Sequence, residues 1–271
     1  MKLLFLVAAI GSVQIISAQS HYLEKLWETD SAVAVPESVL PVGNTLYVSL
    51  IDGGGWDADG KGGVARLGLD GKNYMADWIT GLNAPKGLGI AGNRLYVADI
   101  SNIVVIDVAR GTIEKKIPID SAKGLNDITI TDKGVVYVSD SRTARIWRIE
   151  NNIASLYLEN MKGVNGLRAI GNDLIIASGK LLVKADAQKQ LTTIAELPQG
   201  GDGIEPVGNG DYIVSAWSGS IWYVHADGRI ETLLETYQQK KNTADIGYDP
   251  VNQILYVPTF NGRTVAAYRL L

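Results

Sequence analysis

Apolar and polar residues alternate along this chain in short runs, and the runs come in pairs. Between Gly124 and Ser141 (GLNDITITDKGVVYVSDS) the alternation predicts a strand over 127–131, a turn at Asp132-Lys133-Gly134 and a second strand over 135–139. Period-two alternation marks a half-buried strand, and Asp-x-Gly between two such runs closes a hairpin. The phrase occurs six times, opened by Glu37, Lys86, Asn126, Asn165, Asp202 and Asp245 at spacings of 37–49 residues. Six positions after the opener comes a turn: Gly43-Asn44, Gly92-Asn93, Asp132, Gly171-Asn172 and Gly208-Asn209. The last copy turns slightly earlier, at Asp249-Pro250. Ten or eleven positions after the opener, the second strand carries Tyr47, Tyr96, Tyr137, Ile175, Tyr212 and Tyr256. Repetition at about 40 residues, with about four short strands per unit, predicts an all-β fold, a β-propeller. Six copies predict six blades of four antiparallel strands.

The two ends complete that picture. A strand over 23–29 stands before the first blade, while the last blade, from Ala244, is one strand short and ends over 265–270. Pairing the two would close the ring and cover an edge open to aggregation. Asp70-Gly71, Arg110-Gly111, Asn151-Asn152 and Asp227-Gly228 read as ordinary turns between third and fourth strands. One connection is longer: Asp52 to Gly63, DGGGWDADGKGG. Its glycines preclude a rigid element, and Trp56 at its tip offers a large apolar face. It reads either as a plain mobile loop or as a lid over the central channel. Asp52, Asp57 and Asp59 do not complete an EF-hand, because no Glu follows at the twelfth position.

Composition narrows the setting. Residues 1–18 carry Lys2, the apolar run LLFLVAAIG and a small-residue end at Ile16-Ser17-Ala18, which reads as a secretory signal. The expectation is a single propeller domain over 19–271 in the periplasm or outside the cell. No other apolar run is long enough to span a bilayer. The chain has no cysteine, so its stability must come from the core alone. A net charge of −4 argues against nucleic acid or an anionic membrane surface as partner. The expected partner is a small-molecule substrate, and no feature points to a specific protein.

In a propeller the innermost strand of each blade lines the axis, so equivalent residues at strand starts converge on one end of the channel. The six openers form such a ring, five of them oxygen donors and one, Lys86, an ammonium. Oxygen donors at this density suit Ca²⁺ or another hard divalent cation. A transition metal is not expected there, since cysteine is absent and the only histidines, His21 and His225, are not openers. The blander reading is that these residues cap blade ends and bind channel water. The second strands return to the same end. Their exits (Asp99, Asp140-Ser141-Arg142, Ser178, Trp217 and Thr259-Phe260) are therefore expected to wall a substrate pocket. Trp217 and Phe260 would give it apolar faces and Arg142 an anion contact, with Lys86 and Trp56 as further substrate-binding residues.

Glu37, Asn126 followed by Asp127, Asn165-Gly166 and Asp202-Gly203 carry a resemblance, with Ala216-Trp217-Ser218-Gly219 as a further segment. The chain resembles the calcium-dependent six-bladed propellers of the gluconolactonase and regucalcin type, relatives of diisopropyl-fluorophosphatase and paraoxonase. The resemblance implies that Glu37, Asn126, Asn165 and Asp202 hold Ca²⁺. It implies a secreted hydrolase of lactones or related esters, with Asp202, or else Glu37, as general base or attacking carboxylate. The chain departs from the family at Glu37-Ser38-Val39, where Glu-Gly-Pro is usual. It departs again at Gly124, where sugar-lactone enzymes often carry an arginine. An ion pair between Lys86 and Glu37 would instead leave the channel without a metal. The second function class is a non-catalytic propeller that binds a glycan, peptide or protein at the channel mouth.

Overall fold

The computed structural model describes residues 20–30 and 32–271; the predicted secretory segment, 1–18, lies outside them. The described residues form a six-bladed β-propeller, each blade a four-stranded antiparallel sheet. The inner strands are β2 (Pro36–Val42), β6 (Pro85–Ala91), β10 (Leu125–Ile130), β14 (Val164–Ile170), β18 (Ile204–Gly208) and β22 (Gly247–Asp249). Five blades run outward from their inner strand in simple chain order. The sixth runs β22, β23 (Ile254–Pro258), β24 (Val265–Leu270) and then β1 (Leu23–Glu28), so the first strand of the chain finishes the last blade. No helix among the described residues is long and apolar enough to cross a membrane.

The hairpin read first from the sequence differs slightly in extent. Its first strand begins at Leu125, two residues earlier than the alternation suggests, and its second runs to Asp140. Leu125 pairs with Asp140 and Ile128 with Val138, with a bulge between them. The bulge breaks the period-two pattern at the strand start, which is why alternation alone misses those residues.

The core lies between blades. Six clusters of buried apolar side chains occupy the six interfaces. The repeated second-strand position supplies several members: Tyr47, Ile175, Tyr212 and Tyr256 are all buried. Each large side chain so buried contributes about 1.5–3 kcal/mol, so every interface shares in holding the ring.

The closing strand is anchored on three sides. It pairs with β24 from Leu23↔Leu270 to Glu28↔Ala266, with a bulge between Lys25 and Trp27. Leu26 and Trp27 pack into the cluster between the last and first blades, and Trp27 Nε1 donates to the Leu69 carbonyl at 3.1 Å. The Glu28 carboxylate accepts from Lys241 Nζ at 2.5 Å, from Thr264 Oγ1 at 2.6 Å and from Lys25. Burial pushes this carboxyl up, but its hydrogen bonds to Lys241, Lys25 and Thr264 outweigh burial and hold it down to about 2. A depressed carboxyl stabilises the fold above its ordinary range, and that contribution is lost as pH falls through about 2. Glu28→Gln is expected to cost about 1–3 kcal/mol in urea denaturation at pH 7. The deficit should shrink on acidification; an equal deficit at pH 7 and pH 2.5 would show that the charge is not what holds the strand.

Candidate functional site

The ladder slips a register at the strand start in four of the blades: between Pro36 and Val39, Pro85 and Leu88, Leu125 and Ile128, and Val164 and Leu167. A bulge turns the side chain of its extra residue out of the alternation. Here that residue is the opener or its neighbour. Three backbone N–H groups at the strand starts are taken by serines of the second strand. Ser38 donates to Ser49 Oγ at 2.9 Å, Asp127 to Ser139 Oγ at 3.0 Å and Gly203 to Ser215 Oγ at 2.9 Å. These serines sit two or three residues beyond the repeated tyrosine, where the period-two pattern does not distinguish them.

The re-aimed openers meet. A cavity of about 300 Å³ is lined by Glu37, Lys86, Asn126, Asn165 and Asp202, and closed by Gly55, Trp56, Trp217 and Phe260. Five of the six openers thus converge, and three expected substrate contacts (Trp56, Trp217 and Phe260) stand around them. Asp245 is the exception. It is not among the lining residues; its carboxylate accepts from Ser38 Oγ at 2.5 Å, and its backbone bonds to Glu37 and Val39 across the ring's closing joint.

The remaining expected pocket residues are placed otherwise. Arg142 does not line the cavity; its guanidinium sits 5.8 Å from the centre of the Trp56 ring. Its stem covers Gly124, so an arginine side chain does fill the space at that glycine, though it comes from the following strand's exit. Asp99 and Asp140 are buried and point at loop backbone. Asp99 accepts from the N–H groups of Asn83 and Ala84, Asp140 from those of Lys123, Arg142 and Thr143. Ser178 bonds the Lys162 carbonyl, and Thr259 bonds within its own loop to Thr264. These four serve as loop ties, because a short connection leaves its N–H groups without ladder partners.

Lys86 is likewise placed differently from the ion pair considered above. Among the described residues no carboxylate lies within 4.0 Å of its ammonium; Nζ donates to the Gly55 carbonyl at 2.8 Å and stands 4.2 Å from the centre of the Trp56 ring. The glycine-rich connection therefore folds over the cavity and rests on Lys86. A second tie holds the opposite wall. Asn242 Nδ2 donates to the Trp217 carbonyl at 2.7 Å and its Oδ1 accepts from Asn261 N–H at 3.1 Å, setting Trp217 edge-on to Phe260. Asn242 carries no motif by which the sequence could have revealed it.

Charge is concentrated here on buried side chains. Burial raises Glu37 to about 7, Lys86 opposing and Asp245 adding to the rise. Burial raises Asp202 well above the carboxylate range, with Glu37 and Asp245 adding and Lys86 and Asn165 opposing. Burial lowers Lys86, against the pull of Glu37, Asp202 and Asp99. Deeper in the channel, Arg168 forms a two-pronged pair with Glu205 at 3.1–3.2 Å, joining residues that share no sequence motif. Burial still raises Glu205 to about 7.

Two acceptor atoms at the cavity, Glu37 Oε2 and Asn165 Oδ1, are buried and have no hydrogen-bond partner among the described residues. Asn126 is oriented by donating Nδ2 to Ser141 Oγ at 3.0 Å. Orphaned buried acceptors cost about 1–3 kcal/mol each unless something supplies the missing positive partner. A donor set of carboxylates and amide carbonyls without nitrogen or sulfur suits a hard cation such as Ca²⁺. The residues present fit that ion.

The chain matches no protein-family model and no curated protein at the level of sequence. In three dimensions it is similar to a streptogramin B lyase, with a TM-score of 0.68 at 12% identity over 93% of this chain and 98% of the lyase. It is also similar to a catalytically inactive virginiamycin B lyase from Staphylococcus aureus with quinupristin, with a TM-score of 0.65 at 13% identity over 93% and 100%. A chain of a nidogen/laminin complex aligns with a TM-score of 0.66 at 14% identity over 79% and 85%. Identities this low establish a shared fold and no more.

Strand proximity makes the site sensitive to small changes. A Cβ placed on Gly166 would overlap the carbonyl oxygen of Asp202 in the next blade. Gly166→Ala is therefore expected to lose about 1–3 kcal/mol in denaturant unfolding. Gly55, with open space where its Cβ would stand, should tolerate alanine within about 0.5 kcal/mol. Equal losses at the two positions would contradict the placement of Asp202.

Proposed function

We propose that the protein is a calcium-dependent hydrolase of lactones or related esters, acting at this mouth of the channel. The observation that carries the reading is the pair of orphaned acceptors, Glu37 Oε2 and Asn165 Oδ1, in a cavity also lined by Asn126 and Asp202. Glu37, Asn126, Asn165 and Asp202 would hold the ion. When bound, calcium would polarise a carbonyl oxygen and offset the negative charge that develops on it. Asp202, ionised under those conditions, would take the proton of an attacking water, with Glu37 as the second candidate for that role. Trp56, Trp217 and Phe260 would exclude bulk water and seat the apolar part of the substrate. Lys86, already joined to the Trp56 loop, would sense an anionic substrate oxygen and couple its arrival to the lid's position. Export to the periplasm or beyond belongs to the same reading and rests on the 1–18 segment.

A second reading is a binding propeller, since the fold hosts many functions. It is favoured by one feature: Trp217 exposes 46% of its surface beside Phe260 at the mouth, an apolar face that a partner could cover. The three-dimensional neighbours include both lyases and a chain of a protein complex, so they do not choose between the readings.

Calorimetric titration with Ca²⁺ separates the two. The wild type should bind one ion, Asp202→Asn should weaken binding at least about tenfold, or 1.4 kcal/mol, and turnover of a simple lactone should stop with chelator. Absence of binding, or binding indifferent to Asp202→Asn, would sink the hydrolase reading.

The raised carboxyls also make stability depend on pH. A raised folded-state value means that the fold favours the protonated form. Its stabilising effect is full below the ordinary carboxylate range and is lost as pH rises through the folded value. Glu37 and Glu205 at about 7 and Asp245 at about 6 set that window. With chelator present, Tm should therefore be higher at pH 5.5 than at pH 8. Calcium, which requires ionised ligands, should raise Tm more at pH 8 than at pH 5.5; the opposite order would count against both assignments.

A further inference from the structure

The two histidines of this chain lie far apart in sequence and meet on the rim. His21 precedes the closing strand β1. His225 sits in the turn between β20 (Ser220–Val224) and β21 (Ile230–Glu235), and Glu231 is the second residue of β21. His21 Nδ1 lies 3.4 and 3.3 Å from the two Glu231 carboxylate oxygens, and the His21 backbone N–H donates to Oε2 at 2.8 Å. His225 Nε2 lies 2.5 Å from Glu231 Oε1. One ligand atom from each of the three falls within 4.8 Å of the others.

We propose that His21, His225 and Glu231 form a transition-metal site, suited to Zn²⁺, that fastens the start of the chain to the fifth blade. Two imidazoles and a carboxylate form a borderline-soft donor set that the channel mouth lacks entirely. Zn–N and Zn–O bonds of about 2.0–2.1 Å place tetrahedral ligands about 3.3 Å apart. His21 and Glu231 already stand at that separation. His225 Nε2 would have to move away from Glu231 Oε1 by about 0.8 Å, while staying within its present 4.8 Å of the His21 ligand atom or closing on it. A solvent molecule would complete the tetrahedron, because the side chains remain 14–29% exposed.

The surroundings hold the rings in a ligating pose. His21 stacks on Tyr223 with centroids 3.7 Å apart and planes 6° from parallel. The Tyr223 hydroxyl donates to Asp211 Oδ2 at 2.8 Å, and that same oxygen lies 3.9 Å from His225 Nδ1. A metal at Nε2 would replace the proton shared with Glu231, and the proton then carried on Nδ1 would face the Asp211 carboxylate. None of these residues lines the channel cavity, so this site is separate from the calcium site proposed above. Its effect is mechanical: β1 completes the sixth blade while His225 and Glu231 belong to the fifth, so a bound ion crosses a blade interface. A ligand that binds only the folded ring stabilises it by mass action.

The test uses the chain without a histidine tag, titrated with Zn²⁺ and with Co²⁺ as a spectroscopic stand-in. One Zn²⁺ per chain is expected, with visible bands of tetrahedral Co²⁺ that Zn²⁺ displaces. Tm should rise by about 5 °C or more at a hundredfold excess of Zn²⁺ over Kd. His21→Gln and His225→Gln should each weaken zinc binding at least tenfold, whereas Asp202→Asn in the channel should leave it unchanged. Circular dichroism confirms that each variant is folded. Where one is not, the wild-type Co²⁺ spectrum decides, and an octahedral or absent spectrum overturns the proposal. Zinc binding that survives both histidine substitutions with equal affinity overturns it as well.

Discussion

Six inner strands can share one axis only where their backbones approach more closely than side chains ordinarily allow. In this ring the residue after the opener meets the next blade directly. A Cβ on Gly87 would strike the backbone of Asn126, Asp127 and Ile128, and one on Gly166 the carbonyl of Asp202. That proximity accompanies strand starts whose N–H groups pass to Ser49, Ser139 and Ser215. It also turns the openers away from the sheets and toward one another at the end of the channel.

Crowded side chains then set the electrostatics. Glu37, Asp127, Asp202 and Glu205 are buried and Asp245 half-buried around one narrow axis, and desolvation is the leading cause of the rise in every one of them. Two cations face them. Arg168 is consumed by Glu205, while Lys86 turns outward to carry the Gly55-Trp56 loop. Two acceptor atoms at the mouth, Glu37 Oε2 and Asn165 Oδ1, are left without a donor among the described residues.

Closure of the ring is a separate problem, solved at the rim. The closing strand reaches three blades: it pairs with the sixth, donates from Trp27 to the first, and through His21 touches the fifth. A ring is only as stable as its last joint, since opening that joint exposes apolar faces on both sides. Charged and aromatic contacts accumulate there accordingly.

Much of this was written in the sequence. The six openers, their turns and the repeated tyrosine fix blade number and closure, because a strand pair with a buried face must repeat its pattern wherever the same interface repeats. The glycines after Lys86 and Asn165 mark the close approach of neighbouring blades. Convergence of Glu37, Lys86, Asn126, Asn165 and Asp202 follows from the same symmetry. What pattern could not supply is the direction of individual side chains. Asp245 opens a copy like the others yet turns to Ser38, Asp99 and Asp140 face loop N–H groups, and Lys86 holds the lid instead of Glu37. Arg168 with Glu205, Asn242, and the meeting of His21 with His225 and Glu231 join segments with no shared motif. Those choices depend on which partners the closed ring brings within a few ångströms, and only tertiary packing decides that.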